Sequence, residues 1–486
     1  VTDPLGETVT RTYDTLGRLT AAADSRGGVT RYTYDALGHL EAAVDPAGRT
    51  TRYERDDLGR VAVLTSPRGA ETRYQYDGLG RVSRVEGPSG TFTYERDELG
   101  RVTRRTDGEG QRWAYAYDAL GHLTAATDPL GRTTTYEYDA DGRRTATVDP
   151  LGHRTAYVYD EAGRLTAQTA PSGAATTYTY DDAGRLTSVK DPDGGEYTYA
   201  YDVAGRMLQA TDPLGRVTAY AYDDAGRLSS VTDPAGGLTR IGYDALGEVL
   251  SVTDALGRTT SFAYDPMGNL TEQTDALGQV TRFAYDEAGR LTSMTDALGQ
   301  VTTYAYDEAA GTTTITDPMG NTRAASFDPA GRLAAWTDAV GATTRWEYDA
   351  YGRVARVADP LGHATAYAYD ELGRLGAMTD PRGNATSYQY DEAGRLAEVV
   401  FPDGGHARYQ YNADGRPSAV TDPLGAETAL AYSPGGRLLT VTDALGGVRR
   451  LMYDAAGQVT AVTDPNGATT SLSLIHISEP TRQAEI

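Results

Sequence analysis

A Tyr-Asp dipeptide that returns every 21 residues constrains the fold of this 486-residue chain more than any other feature. The spacing is strict from Tyr117 to Tyr306, and extending it in both directions gives 22 units between Tyr13 and Tyr453. Short fixed periods are typical of repeat proteins, in which each unit packs on its neighbours. The sequence therefore predicts an array of one supersecondary unit. Five units carry other residues in the slot: Arg55-Asp56, Arg96-Asp97, Phe327-Asp328, Tyr411-Asn412 and Tyr432-Ser433.

Two glycine-containing segments divide each unit nearly in half. The first reads Tyr-Asp-x-x-Gly-Arg, as at residues 159–164, and the second reads Thr-Asp-Pro-x-Gly, as at residues 211–215. A glycine stands four residues after the tyrosine slot in 21 of 22 units, and another stands fourteen after it in all 22. Glycine fixed at such places indicates turns with positive φ, and Asp and Pro favour the same turns.

The arms between these turns have the composition of β-strands. Residues 123–127 and 132–138 are rich in Thr, Tyr and Ala, and tyrosines such as Tyr136 and Tyr138 lie two apart, which places them on one face. Two short strands joined by tight turns at alternating ends make one antiparallel β-hairpin per unit. The predicted fold is therefore all-β, built from tandem hairpin repeats.

The number of strands predicts that the sheet curls. Twenty-two hairpins supply about 44 strands, whereas twisted open sheets rarely exceed about ten strands without curling or splitting. We therefore expect a coiled ribbon that forms a hollow β-cage or an open shell. The main alternative is a parallel β-solenoid with one coil per unit.

Two units depart from the period. The unit from Tyr76 to Arg96 has 20 residues, and the residue missing after Gly90 would exchange the two faces of the following arm unless a turn or bulge absorbs it. After Tyr306 the first glycine comes one residue late, at Gly311, yet Asp317 is back in register. We expect a longer turn there, offset by a shorter strand.

Composition excludes several classes of function. Lys+Arg of 45 against Asp+Glu of 68 gives a net charge of −23, which has the wrong sign for a binder of the nucleic-acid backbone. The absence of cysteine excludes disulfides, thiolate metal sites and a cysteine nucleophile. No apolar run approaches the roughly 18 residues of a membrane span, and nothing before Thr30 resembles a signal peptide. We expect no nucleic-acid partner and no membrane span.

Candidate sites of chemistry are better explained as parts of turns. Adjacent carboxylates such as Asp181-Asp182 could perform acid–base chemistry, and the turn from Asp191 to Gly194 could bind calcium. Both belong to segments that recur without distinction, so we predict structural roles. The histidines of the repeats are isolated from one another in sequence and are predicted to be exposed residues beside turns: His39, His122, His153, His363 and His406.

The 35 tyrosines are the remaining candidates, since a tyrosine-rich sheet surface could stack on sugar rings or contact an enclosed polypeptide. Packing across neighbouring strands explains the same pattern and is the favoured interpretation. We therefore predict no catalytic, cofactor-binding or metal-binding residue, and no enzymatic activity.

The pattern Tyr-Asp-x-x-Gly-Arg-Leu, followed by Thr-Asp-Pro-x-Gly, resembles the YD repeats of RHS proteins, which also occur in the C components of insecticidal toxin complexes and in teneurins. The resemblance covers about residues 1–471, as 22 repeats of about 21 residues. It implies a ribbon of hairpins spiralled into a hollow cage, which in bacterial RHS polymorphic toxins encloses a variable C-terminal toxin domain. It also implies secretion or delivery into another cell, and we expect a secreted or cell-surface location. The downstream Pro-x-x-x-x-Asp-x-x-Gly-Leu segment, with which the family cuts its own chain, is not found here.

The resemblance leaves two functions open. The first is a structural shell segment around a toxin domain, and the alternative is a cell-surface adhesion module that binds carbohydrate or a partner cell. Residues 472–486 break the pattern, because position 474 should hold tyrosine and holds Leu474 instead. Their sequence looks like a translated sequencing adapter, so we expect a non-native tail on a fragment of a longer protein.

Overall fold

The computed structural model describes residues 10–23, 28–308 and 310–472. Within these ranges the chain forms strands, turns and bends and no helix, which confirms the all-β prediction. In these ranges each strand pairs antiparallel with its neighbours in sequence, so the units are hairpins and not the coils of a parallel solenoid. No helix in the described part of the chain is long and apolar enough to cross a membrane.

The described residues form 45 strands, which follow one another in a single sheet. They are β1 (Thr10–Tyr13), β2 (Leu19–Ala23), β3 (Val29–Tyr34), β4 (Leu40–Val44), β5 (Thr50–Arg55), β6 (Val61–Thr65), β7 (Glu71–Tyr76), β8 (Val82–Gly87), β9 (Gly90–Arg96), β10 (Val102–Asp107), β11 (Arg112–Tyr117), β12 (Leu123–Thr127), β13 (Thr133–Tyr138), β14 (Arg144–Val148), β15 (Arg154–Tyr159), β16 (Leu165–Thr169), β17 (Ala175–Tyr180), β18 (Leu186–Lys190), β19 (Glu196–Tyr201), β20 (Met207–Thr211), β21 (Val217–Tyr222), β22 (Leu228–Thr232), β23 (Leu238–Tyr243), β24 (Val249–Thr253), β25 (Thr259–Tyr264), β26 (Leu270–Thr274), β27 (Val280–Tyr285), β28 (Leu291–Thr295), β29 (Val301–Asp307), β30 (Thr312–Thr316), β31 (Thr322–Phe327), β32 (Leu333–Thr337), β33 (Thr343–Tyr348), β34 (Val354–Ala358), β35 (Ala364–Tyr369), β36 (Leu375–Thr379), β37 (Ala385–Tyr390), β38 (Leu396–Val400), β39 (His406–Tyr411), β40 (Pro417–Thr421), β41 (Glu427–Tyr432), β42 (Leu438–Thr442), β43 (Val448–Tyr453), β44 (Val459–Thr463) and β45 (Thr469–Ser471).

Two kinds of turn alternate along the ribbon. We call the turn after each tyrosine-bearing strand turn A, as at residues 160–163, and the turn after each of the other strands turn B, as at residues 128–131. Both place glycine in the left-handed region, with φ of 81° at Gly163 and 80° at Gly131, where a side chain would be strained. All turns A therefore lie along one edge of the ribbon and all turns B along the other.

The two irregular units are accommodated differently. In the 20-residue unit Gly87 pairs directly with Gly90, so a shorter turn B absorbs the missing residue, as expected. The expectation for the unit after Tyr306 is wrong, because β29 is a seven-residue strand and no strand is shortened. The other hairpins at turn A shift register beside the tyrosine slot, whereas β29 and β30 pair without a shift. The register shift of the other hairpins is a β-bulge. The absence of this bulge between β29 and β30, and not a shorter strand, compensates for the glycine that comes one residue late.

The ribbon coils on itself, so that turns far apart in sequence meet. Arg132 contacts Asp391, 259 residues later, and Ser172 contacts Asp414, 242 residues later. We call β1–β22 the first coil and β23–β45 the second, and we call the line of contact between them the seam. At the seam, turns B of the first coil face turns A of the second.

The wall of this coil is one sheet thick. No large side chain in the described ranges is less than 2 % exposed, although the small Ala146 is fully buried. The most buried apolar residues are small or medium in size, and they are Ala146, Ala358, Val399, Ala407, Ala419 and Ala461. Stability must therefore come from contacts along the ribbon and across the seam rather than from a central core.

Candidate functional site: the turns and the seam

The aspartate of each Tyr-Asp pair organises turn A. The backbone N–H of Gly163 donates to the Asp160 carbonyl at 3.0 Å. The Asp160 carboxylate accepts the backbone N–H of Arg164 at 2.9 Å and its Nε at 2.7 Å. The backbone N–H of Arg164 is the main group that lowers the pKa of Asp160 below its usual range, and the guanidinium adds to this against the opposing effect of desolvation.

The tyrosine of each pair ties successive turns A together. The Tyr180 hydroxyl donates to the carbonyl of Leu165, in the neighbouring strand, at 2.8 Å. The Arg164 guanidinium lies over the Tyr180 ring, 5.0 Å from its centroid, and donates to the Asp181 carbonyl at 2.9 Å. Backbone pairing of β16 with β17 ends at Ala167, so these side-chain contacts close the open end of the strand pair.

Two substitutions in the tyrosine slot preserve this tie. Arg55 donates from Nη2 to the Leu40 carbonyl at 3.2 Å, the equivalent of the acceptor that tyrosine uses. Arg96 does the same with the Val82 carbonyl at 3.3 Å. Tyrosine and arginine in the slot thus both supply a long side chain that ends in a donor, whereas Phe327 supplies a ring alone.

Many units carry a second tyrosine two residues before the slot, and this tyrosine packs across the sheet. Tyr178 lies opposite Val189, and Tyr220 lies opposite Val231. One unit reverses the sizes, since the small Ala325 lies opposite the large Trp336. This reciprocal exchange supports the interpretation that the row is selected for packing between strands.

The histidines occupy structural positions in the turns. Four of them replace the arginine that follows the turn glycine, and their Nδ1 atoms lie 2.8–3.2 Å from the turn aspartates. These four are His39, His122, His153 and His363. His406 Nδ1 lies 2.9 Å from Glu398 Oε1, across neighbouring strands. Among residues 10–23, 28–308 and 310–472, no three His, Cys, Asp or Glu side chains are grouped as a metal site.

The adjacent carboxylates divide between turn and surface. Asp181 is a turn aspartate, bonded to the backbone N–H and Nε of Arg185, whereas Asp182 is the exposed second residue of the turn. The same division holds for Asp223 and Asp224. The first member of each pair is thus engaged in shaping the backbone.

The turn from Asp191 to Gly194, considered above as a calcium turn, lies at the seam and binds the second coil. The Asp193 carboxylate, 9 % exposed, accepts the Ser433 hydroxyl at 2.9 Å and the Gly435 N–H at 2.8 Å. Arg437 adds ion pairs to Asp193 at 3.2 Å and to Asp191 at 3.1 Å. A Cβ at Gly435 would overlap the Asp193 carboxylate, which explains why this turn has glycine where its counterparts carry side chains.

Other seam contacts use the same turn positions. The backbone N–H of Ser172 donates to Asp414, itself 7 % exposed, at 2.9 Å. The Tyr351 ring lies so close to Gly90 that an added Cβ there would be 2.7 Å from it. Arg68 lies over the Phe327 ring at 4.9 Å. A cleft of about 850 Å³ at the seam is lined by charged groups of both coils, including Lys190, Asp191, Asp414 and Arg416.

The sequence analysis did not identify these seam residues, although some of their signals were present. Phe327, Asn412 and Ser433 stand out as departures from Tyr-Asp, and all three belong to units at the seam. Asp193 and Asp414 carry charge at a turn position that usually holds Leu or Ala. In the second coil, departures from Tyr-Asp therefore coincide with contacts between coils, whereas Arg55 and Arg96 contact neighbouring strands of the first coil.

Comparison with known families gives one result that spans most of the chain. The model of the family described as RHS Repeat matches residues 1–29, 13–50, 34–71, 55–91, 76–112, 96–133, 117–155, 159–196, 180–216, 201–238, 243–280, 268–301, 285–322, 327–364, 348–385, 369–406, 411–448 and 453–474. Comparison with curated protein sequences gives no significant match.

Solved structures share the fold at low sequence identity. The crystal structure of TcdB2-TccC3 is 16% identical over 94% of this chain, with a TM-score of 0.62. The TcdB2-TccC3-Cdc42 crystal structure is 17% identical over 94% of this chain, with a TM-score of 0.57. A Photorhabdus luminescens Tc holotoxin pore is 17% identical over 94% of this chain, with a TM-score of 0.58. The present chain spans 28–30% of the length of these proteins.

Proposed function

Because the chain belongs to the RHS repeat family, we propose that it forms part of the wall of an RHS-type toxin shell that encloses a C-terminal toxin domain. The observation that carries this proposal is the seam, where the two coils of one continuous sheet are joined edge to edge. A coiled single-layer sheet with joined edges is a wall, and a wall serves to separate what lies on its two sides.

The side-chain chemistry supports a passive wall. The turn carboxylates bind backbone N–H groups and arginines of their own turns, and most slot tyrosines donate to carbonyls of the neighbouring strand. Groups held in this way shape the backbone and are not free for acid–base chemistry. We infer that the segment has no catalytic role, and that the activity of the whole protein resides in another part of it.

The solved structures that share this fold suggest the kind of protein in which the segment functions. TcdB2-TccC3 shares this fold, and the Photorhabdus luminescens structure, which also contains TccC3, is a Tc holotoxin pore. By analogy, we propose that the intact bacterial protein is secreted or displayed at the cell surface. We also propose that residues 1–471 are the repeat array and that residues 472–486 are a foreign tail; residues 473–486 lie outside the described residues.

The experiment uses the complete protein encoded by the source gene, whose reading frame long-read sequencing would first establish. A shell predicts that its C-terminal domain resists protease under conditions that digest the same domain expressed alone. Digestion of both at equal rates would contradict enclosure. Binding of the repeat array to a glycan array, together with equal digestion, would favour the adhesion module.

A further inference from the structure

Two clefts meet at one point of the seam. The cleft of about 850 Å³ described above, which we call cleft 1, has a neighbour of about 430 Å³, which we call cleft 2. Both lie between turns B of the first coil and turns A of the second. They have two lining residues in common, Asp414 and Arg416. The side chains of this pair therefore form the partition between the clefts.

The clefts lie on opposite faces of the sheet. Cleft 2 is lined by Gln168, which lies opposite Tyr157 in the neighbouring strand and so shares the face of the tyrosines. Cleft 1 is lined by Ala175 and Thr177, which stand three residues and one residue before Tyr178 in β17. Because successive side chains of a strand point to opposite faces, Ala175 and Thr177 lie on the face away from the tyrosines. The two clefts thus reach the seam from the two sides of the wall.

Small residues leave space at this point of the seam. Two units earlier, Asp128 pairs with Arg132, and the Arg132 guanidinium donates to the Asp391 carbonyl of the second coil at 3.0 Å. The turn B that borders both clefts has Ala170 and Ala174 in the two equivalent positions. Methyl groups there replace an ion pair that would extend across the seam. The gap between the coils is therefore a consequence of the sequence of this turn.

A second departure from the repeat places an arginine in the partition. In the preceding unit, the Arg395 guanidinium is held at 2.7 Å by the aspartate of its own turn. The next turn has Asn412 in place of aspartate, and the Arg416 guanidinium pairs with Asp414 instead, at 3.0 Å. Asp414, which is 7 % exposed, also accepts the Ser172 N–H of the first coil at 2.9 Å. Opening the partition therefore requires the movement of two side chains and no movement of a strand.

We propose that clefts 1 and 2 are the two halves of a polar passage through the wall, and that the Arg416–Asp414 pair is its gate. Each cleft is many times larger than the roughly 30 Å³ that a water molecule occupies in the liquid. Charges of both signs line the passage, such as Lys190 and Asp191 in cleft 1, so it should admit water and small hydrophilic solutes of either charge. The two sides of the wall would then share one pH and one ionic strength, although a folded domain cannot cross. The proposal requires the coiled wall and its seam but no enclosed domain, so it stands or falls separately from the proposed function.

Cross-linking of two introduced thiols around one turn tests the passage in the 486-residue chain, which has no cysteine of its own. Gln168→Cys and Ala175→Cys place one thiol in each cleft, on neighbouring strands and opposite faces. A flexible bis-maleimide that spans about 20 Å joins them around the tip of the turn, since about three residues of each strand separate either thiol from the tip. The rate of intramolecular cross-linking, measured by intact mass at low protein concentration and normalised to the reactivity of each single thiol, reports passage past the gate.

The matched control uses the same positions one unit later, Val189→Cys and Glu196→Cys. There the tip of the turn is sealed, because the Asp193 carboxylate binds Ser433 and Gly435 of the second coil. We expect normalised cross-linking to be at least about tenfold faster in the first pair of thiols than in this control pair. Equal rates in the two pairs would overturn the proposal.

Two further changes, each added to the first pair of thiols, identify the route of the reagent. Arg416→Ala removes half of the gate and should speed cross-linking at least about threefold. Ala413 is an exposed lining residue of cleft 2, so Ala413→Trp should fill that cleft and slow cross-linking at least about tenfold. The single thiol of Ala175→Cys, in cleft 1, should keep its reactivity in both backgrounds. A cross-linking rate that either change leaves unaltered would show that the reagent crosses an opened seam instead of a passage, and would also overturn the proposal.

Discussion

At the scale of the residue, one side chain of each repeat connects neighbouring hairpins. The hydroxyl of the slot tyrosine reaches a carbonyl 15 positions earlier, as Tyr180 reaches Leu165. Arg55 reaches the same relative position in its own unit. In most units the slot thus holds a donor that reaches the neighbouring strand, and the ring of a slot tyrosine lies under the arginine of the preceding turn.

Removing one hydroxyl should weaken the connection locally. We expect Tyr180→Phe to destabilise the junction between β16 and β17 by about 1 kcal/mol, the usual net value of one hydrogen bond. Hydrogen exchange at the amides of turn A at residues 160–164 would report the loss. The matched control is Tyr178→Phe, since in residues 10–23, 28–308 and 310–472 the Tyr178 hydroxyl has no partner. Equal effects of the two changes would contradict the role assigned to Tyr180, whereas Tyr180→Arg should be tolerated.

The turn aspartates predict that stability falls in acid. In Asp14, Asp77 and Asp160 the backbone N–H of the turn arginine is the main cause of a lowered pKa. A folded-state pKa below the unfolded value of about 3.9 means that the unfolded chain binds more protons in the interval between them. This stabilisation is complete above about pH 5 and is lost as the pH falls through the unfolded value and then the lowered values.

Thermal unfolding followed by circular dichroism between neutral and strongly acidic pH would measure this loss. The melting temperature should be nearly level at weakly acidic pH and should then drop steeply. Asp160→Asn, which keeps an acceptor in the turn, should remove part of the acid-dependent change. A melting temperature that rises on acidification would contradict the assignment.

At the scale of the element, the hairpin is set by its turns and completed by size matching across strands. Glycine positions predicted both turns of each unit, because only glycine adopts their positive φ without strain. The bulge beside turn A was not predicted, since the residue it displaces, such as Thr124, has no distinctive chemistry. For the same reason the unit after Tyr306 was interpreted wrongly. The absence of the bulge in that unit changes the spacing of the glycine but not the type of any residue.

The reversed pair of Ala325 and Trp336 allows size matching to be tested. Trp336→Val should destabilise the β31–β32 hairpin by about 1 kcal/mol, because two small residues then face each other. Adding Ala325→Tyr should restore most of the loss by recreating the pair that Tyr220 forms with Val231. Denaturant unfolding of the single and double variants gives the coupling energy. Additive effects of the two changes would contradict direct packing.

At the scale of the whole molecule, the seam fixes the register between coils. Sequence reasoning predicted that the ribbon must coil, but it did not predict which turns meet. That pairing depends on small angles summed over more than twenty strands, so an error of a few degrees per strand moves the contact by a whole repeat. The residues that make contacts specific to one register between the coils are departures from the repeat consensus, such as Asp193 and Ser433.

Returning one of these residues to the repeat consensus should open the seam. Ser433→Asp places a second carboxylate beside Asp193, which now receives the Ser433 hydroxyl at 2.9 Å, and should cost about 1–3 kcal/mol of seam stability. Small-angle scattering should then show a larger radius of gyration. Asp193→Asn in the same chain should reverse the expansion by restoring a donor. An unchanged radius for Ser433→Asp would show that this contact does not hold the coils together.

The pairing of each strand with its immediate neighbours has a consequence for how such a protein is made. Backbone partners are close in sequence, as Thr135 and Val148 are, so a hairpin can form as soon as its residues leave the ribosome. Contacts across the seam must wait for 240 or more further residues to be synthesised. The ribbon therefore forms before the coil closes. On unfolding we expect the opposite order, in which the coil opens before the ribbon comes apart. Pulling on one end would first part the coils and then peel off hairpins one at a time, so an opened wall is still a folded polypeptide that can close again.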